Sequence, residues 1–208
     1  MKDESRIDKG DGTFRSLYKL GGIAALIVAA LTLGEILFFV FFPPPETIHG
    51  WFSLFQSNAL IGLLDFWGLE IPMYLMFILV FLALYMHLRK TNHGLMVIAL
   101  AFALLGVAIF LATNNPFSML TLSKLHADAT TEAQQSALLA AGQTILANTN
   151  QRAVGGFNIA LLLVSAAGLI TSLVMLQDHL FSRTSATIGI LAFALSLADY
   201  LRQALTQS

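Results

Sequence analysis

The sequence predicts an all-α bundle of five transmembrane helices, capped on one side by a polar helix. Three observations predict it. Hydrophobic residues make up 57% of the 208 positions and charged residues 11%, with a mean hydropathy of +0.76. A soluble domain carries about 25% charged residues, so most of this chain is not built to meet water. The apolar residues fall into five runs separated by polar punctuation, and a membrane helix needs roughly 20 such residues to cross a hydrocarbon core about 30 Å thick. The net charge of -1 comes without a basic stripe interleaved with aromatics, which argues against a nucleic-acid partner. The chain has no cysteine, so disulfides, thiolate metal sites and cysteine nucleophiles are excluded together.

The predicted spans are 20–42, 58–85, 95–113, 153–176 and 186–201, behind a polar leader of residues 1–19. The first run is not the core of a cleaved signal peptide. Its leader is long, its apolar part exceeds the usual core of about 7–15 residues, and "FFVFFPPP" offers no small-residue cleavage site. Pro43, Pro44 and Pro45 stop the helix, because proline cannot continue the hydrogen-bond ladder. "KGDGTF" in the leader reads as a polar turn that lacks the remaining ligand positions of a calcium loop. "GGIAALIVAA" and "VGGF" read as small-residue patches that let helices approach closely.

Lysine and arginine near the span ends set the expected orientation. Lys2, Arg6, Lys9, Arg15, Lys19, Arg89, Lys90 and Arg183 make eight on one side; Lys124, Arg152 and Arg202 make three on the other. The bias places the N-terminus in the cytoplasm and, with five spans, the C-terminus outside. The alternative is that "RQALTQS" opens a sixth span.

The outer side carries the longer connections. In "PPPETIHGWFSLFQS", Trp51, Phe52 and Phe55 suit the membrane interface, where amphipathic rings settle. Residues 114–151 form the outer cap. Within them "TTEAQQSALLAAGQTILA" reads as a helix, with Thr130 or Thr131 capping its start and Glu132 favourable in its first turn. Leu138, Leu139, Ala141, Ile145 and Leu146 give it one apolar stripe, on which Gly142 also lies.

The second span holds the most informative stretch, "LLDFWGLEIP" from Leu63 to Pro72. A charge at the centre of a membrane helix costs on the order of 2.5–3.5 kcal/mol, yet Asp65 and Glu70 stand here. By helical rise, Glu35, Asp65 and Asp199 all fall about 10 Å below the outer surface, on three different helices, and Glu70 lies deeper, at about 18 Å. Asn158 reaches the same outer level. Asp65 and Glu70 are about 140° apart on an ideal helix. They can share a partner only if the helix is distorted, and Pro72 with Gly68 offers the distortion. The expected arrangement is a polar chamber in the outer half lined by Glu35, Asp65, Glu70, Asp199 and Asn158, with Arg152 and Arg202 as charge partners. Arg202 is a helical neighbour of Asp199.

No motif names a reaction or a cofactor. HExxH, the phosphate loop and the nucleophile elbow are missing from the sequence. His49 and His126 are the two histidines able to approach the outer acids, from loops, and they make a weak candidate metal pair. The leading reading is a non-enzymatic module that binds a small polar ligand, an ion or a partner in the chamber. A membrane-embedded, metal-dependent enzyme using the same acids competes with it. So does a structural subunit of a homo-oligomer or larger membrane assembly.

The order of elements resembles a family of bacterial multi-pass membrane proteins known only as a domain of unknown function. "RSLYKLGGIAALIVAALTLGE" is similar to that family's first helix. "LLDFWGLEIPMYLMFILVFLALYMHLRKTNHGLMVIALAFALLG" is similar to its second and third, including the Leu-Tyr exit into a short basic turn at "LALYMHLRKTN". "TTEAQQSALLAAGQTI" and "FSRTSATIGILAFALSLADYL" occupy matching places. The resemblance implies a bacterial inner-membrane location and a sixth helix in typical members. It supplies no activity, cofactor or catalytic residue.

Overall fold

The computed structural model describes residues 4–149 and 159–206, with side chains described over 14–147 and 159–202. All regular structure among them is helical: α1 (Glu4–Phe41), α2 (Ile48–Ser57), α3 (Ala59–Leu63), a π-helical turn (Leu64–Gly68), α4 (Glu70–Leu88), α5 (His93–Thr113), α6 (Pro116–Asp128), α7 (Glu132–Thr149), α8 (Ile159–Met175) and α9 (Arg183–Thr206). Among the described residues, four helical stretches are long and apolar enough to cross a membrane, over Phe14–Phe41, Ala59–Leu88, His93–Asp128 and Arg183–Arg202, and the apolar helix Ile159–Met175 is shorter. The chain is an integral membrane protein by this measure.

Local sequence explains the breaks. The Asn58 side chain accepts from the Ile61 amide at 3.1 Å and opens α3, and Asn92 does the same for Leu95 at the start of α5. Asn114 closes α5 and Asn115 caps α6, whose first residue is Pro116. Proline suits that position because its missing N–H would have no partner there anyway. At α7, Thr131 Oγ1 accepts from the Gln134 amide while Gln134 Oε1 accepts from the Thr130 amide. This reciprocal cap bears out the threonine start expected from sequence. The leader departs from expectation: "KGDGTF" is not a turn but part of α1, which is continuous from Glu4. Its glycines cost helix propensity without breaking the ladder.

The long helices pack in the order α1, α4, α5, α8, α9, each against the next. The central core joins α4, α5 and α8 through Tyr74, Phe81, Ala103, Val107, Phe110, Ala160 and Val164. At one end, where α4 turns into α5 and α8 into α9, Leu88, Met96, Ala99 and Val174 form a second core. At the other end α2, α6 and α7 make a cap over α3 and the π-helical turn. These are called the turn end and the cap end below. The outermost helices, α1 and α9, expose Leu26, Leu33, Ile36, Leu37, Leu191 and Leu195, as lipid-facing helices do.

The cap corrects one expectation. Trp51, Phe52 and Phe55 are not interfacial anchors: all three are buried, and with Ile48, Phe66, Met119 and Leu146 they form the cap's own core. Their spacing along α2 puts all three rings on the face that meets α6 and α7. The stripe expected on α7 is the matching surface, with Leu139, Ile145 and Leu146 packed into that core. Gly142 faces the side chains of Ile48 and Phe52 on α2. A Cβ there would come within 2.6 Å of Ile48 Cδ1 and 2.9 Å of Phe52 Cζ. The glycine thus serves packing, at the cost of some helix propensity.

Candidate functional site

The helix break expected between Asp65 and Glu70 is present, and it is sharper than a proline kink. Phe66 (φ -95°, ψ 67°) and Trp67 (φ 67°, ψ 5°) both leave helical geometry inside the π-helical turn. Trp67 is the one non-glycine residue with positive φ among those described. For a bulky side chain that conformation costs on the order of 1–3 kcal/mol and persists only where its surroundings enforce it. The surroundings are two cores. Phe66 packs edge-on against Trp51 in the cap, with centroids 4.9 Å apart, and Trp67 packs edge-on against Phe110 in the bundle at 5.7 Å. The reversal at Phe66 and Trp67 sets Phe66 within the cap core and Trp67 between the cap core and the bundle core. An ideal helix would place them only about 100° apart on one surface.

Both acids that flank the break are buried, Asp65 at 4% and Glu70 at 6% exposure. One turn after Glu70 lies Tyr74, also buried, its ring stacked on Phe110 at 3.7 Å and 5°. The Tyr74 hydroxyl lies within electrostatic range of Tyr200 on α9, Glu70 on α4 and Glu35 on α1. These three groups come from three different helices. Tyr74 and Tyr200 did not stand out in the sequence. The available signal was spacing: Tyr74 follows Glu70 by four residues, a helical neighbour, and Tyr200 follows Asp199 directly.

Asp199 is on the exposed side of α9 and is held by Arg202, with Nη2 at 2.8 Å and Nε at 3.2 Å from Oδ1. This is the charge partner expected from their spacing. Asn158 and Arg152 lie outside the described residues. His49 is exposed near the start of α2, and His126 packs its ring against Phe52 at 5.1 Å within the cap. No group of three His, Asp or Glu among the described residues converges as a metal would require. Asn114, at the floor of the cap, is buried, and its amide donates to the Phe110 carbonyl at 3.1 Å.

At the turn end the structure builds a second polar group, one that depth alone did not predict. Asp178 Oδ1 accepts from the Leu180 amide at 2.8 Å and faces His87 Nε2 at 3.2 Å, while Oδ2 accepts from Thr91 Oγ1 at 2.9 Å. The carboxylate ties the α4–α5 turn to the α8–α9 turn. Partial burial pushes its pKa up, but the Leu180 amide, Thr91 and His87 outweigh burial and hold it below the usual carboxylate range. A depressed carboxyl stabilises the fold above its unfolded pKa of about 3.9, and that contribution is lost as pH falls through the folded value. Asp178→Ala is therefore expected to cost about 1–3 kcal/mol near neutral pH, the range for hydrogen bonds to a charged group. Thermal melts of both proteins across a pH series check this: the gap in melting temperature present near neutral pH narrows below about pH 3.9. A gap that widened in acid would contradict the assignment.

The family model for "Domain of unknown function (DUF4386)" matches residues 20–208. The chain belongs to this family. The match begins at Leu20, where the apolar part of α1 begins, and takes in every helix described above. No curated protein and no solved structure matches the chain. Membership in the DUF4386 family confirms the resemblance read from helix layout and brings no activity with it.

Proposed function

We propose that this protein is a membrane-resident binding module whose cap-end chamber takes a small cation or a small polar ligand. One observation carries the reading: Asp65 and Glu70 are both buried, on either side of a backbone break held in strain. Buried acids are expensive in a bilayer and mark ligand or ion sites by default. Strained backbone concentrates at such sites as well. The rings of Tyr74, Phe110 and Trp67 meet at this level, and a cation gains from carboxylates and aromatic faces together. The cap formed by α2, α6 and α7 would then govern entry.

In this reading the chain crosses the membrane five times, α8 being one of the five spans. Its N-terminus lies in the cytoplasm and its cap outside, on the bias of eight lysines and arginines against three. The location is the inner membrane of a bacterium.

The test is a thermal-shift screen of the purified full chain in mild detergent. The panel holds monovalent and divalent cations, primary and quaternary amines, and neutral polyols. A ligand at about 100 times its dissociation constant stabilises by about 2.7 kcal/mol, a rise of roughly 5–10 °C for a chain of this size. The shift should vanish in Glu70→Gln and weaken in Glu35→Gln. If no compound shifts the wild-type protein, or the shift persists in both variants, the chamber is not a binding site.

A further inference from the structure

A cavity of about 450 Å³ opens at the turn end between α1, α4 and the α8–α9 turn. Its size falls within the range of about 300–1,000 Å³ typical of ligand pockets. The walls are apolar and carry small residues: Gly21, Gly22, Ala25 and Ala83 line it, with Gly21 packed directly against Ala83. A Cβ on Gly22 would meet no heavy atom within 4 Å. The mouth is aromatic and polar. The His87 ring lies edge-on to Tyr18 at 6.4 Å and to Phe181 at 5.8 Å, and the contact with Asp178 fixes it there.

Basic residues neighbour the lining residues Tyr18 and His87 along the chain. Arg15 precedes Tyr18 by three residues and Gly22 by seven, so all three share one stripe of α1. The Arg89 guanidinium lies 5.8 Å from the centre of the Phe14 ring, four residues before Tyr18, and 5.8 Å from that of Tyr85. This contact brings it over from α4 to the same face of α1. Lys19 and Lys90 are exposed beside these two. Among the described side chains, Asp178 is the one acid at this end, and it is engaged by Leu180, Thr91 and His87.

We propose that this cavity is a binding site for an anionic phospholipid. One acyl chain occupies the apolar slot, and the headgroup phosphate sits between Arg15 and Arg89. Each half of the ligand answers a feature of the site. A slot within the bilayer's apolar depth is filled by hydrocarbon, since water gains nothing there. Guanidinium groups match phosphate geometry with paired N–H donors. Basic pockets between helices at a membrane surface select anionic headgroups for that reason. The inference is independent of the cap-end chamber, since it uses different residues at the other end of the bundle.

The experiment is native mass spectrometry of the full chain in mild detergent. Dioleoyl phosphatidylglycerol is titrated in parallel with dioleoyl phosphatidylcholine, which has the same chains and no net charge. The wild-type protein is expected to hold the anionic lipid at least tenfold more tightly. The double substitution Arg15→Gln, Arg89→Gln should bring that ratio below threefold while keeping the neutral lipid's affinity. Gly22→Leu should weaken both lipids at least fivefold by filling the slot, and Ala25→Leu carries the same test if Gly22→Leu does not fold. Equal affinities in the wild type, or a preference that survives the double substitution, would overturn the headgroup assignment. Unchanged binding in the slot variants would overturn the slot. So would a dimer that excludes lipid, because the cavity would then be filled by a second copy of the chain.

Discussion

Phe110→Ala is expected to lower stability by about 3–5 kcal/mol, the range for removing a fully buried aromatic ring. In a chain of this length that corresponds to a melting temperature lower by on the order of 10 °C. The ring is 0% exposed. It stacks face to face with Tyr74 and receives the edge of Trp67, so its loss removes one wall from both residues that organise the cap-end site. The Phe110 carbonyl also accepts from the buried Asn114 amide, and a repacked α5 would disturb that bond. Circular-dichroism melts in detergent read the effect directly. Phe117→Ala is the comparison: Phe117 is 60% exposed and should change the melting temperature by no more than about 2 °C, as exposed positions do. If the two variants melted alike, Phe110 would not be the keystone of the core.

The same variant separates packing from recognition. If a ligand stabilises the protein through Glu70 and Tyr74, Phe110→Ala should bind it more weakly even at temperatures where the fold persists. A helix that merely lost a packing ring would keep its ligand.

Periodicity and composition made the bundle legible, because a bilayer admits few solutions. Apolar runs of about 20 residues had to be helices, and proline and asparagine marked their ends. The break in the second span was legible too. Two acids about 140° apart with Gly68 and Pro72 nearby called for a distortion. Its position was not legible: the reversal falls where the cap core takes the Phe66 ring and the Trp67 ring lies between the cap and bundle cores. That is a tertiary competition, and no single-helix argument contains it. The cap aromatics misled for a related reason. Trp51, Phe52 and Phe55 carry the composition of an interfacial belt. Only the partner faces of α6 and α7 make them a core. His87 and Asp178 were hidden by distance, since 91 residues separate them and each is unremarkable in its own turn. Tyr74 and Tyr200 were passed over because an aromatic in an apolar run reads as packing. Their place beside Glu35 and Glu70 comes from helix order alone.

The second large effect is expected at Gly68. A Cβ there would run into the Leu63 carbonyl oxygen across the π-helical turn. That obstacle is backbone, so no side chain can swing aside to relieve it. Gly68→Ala must open the turn, and overpacking of this kind costs about 1–3 kcal/mol. The stability loss should be smaller than for Phe110→Ala, but the consequence for the site should be larger. Opening the turn changes the angle between the helix that carries Asp65 and the helix that carries Glu70. It also relaxes the positive φ of Trp67, whose ring contacts Phe110. Misplacement of a few ångströms is enough to cost a binding site at least tenfold in affinity, which is about 1.4 kcal/mol. The measurement is paired: melting temperature and ligand-induced shift on the same preparations, with Gly34→Ala as the reference. Gly34 lies on α1, where an added Cβ meets nothing within 4 Å. The expected result is a modestly destabilised Gly68→Ala protein that has lost most of its ligand shift, beside a Gly34→Ala protein that is no less stable than wild type and keeps its ligand shift. A Gly68→Ala protein that melted lower yet bound normally would show that the break serves the fold alone, and that the acids around it do not depend on its geometry.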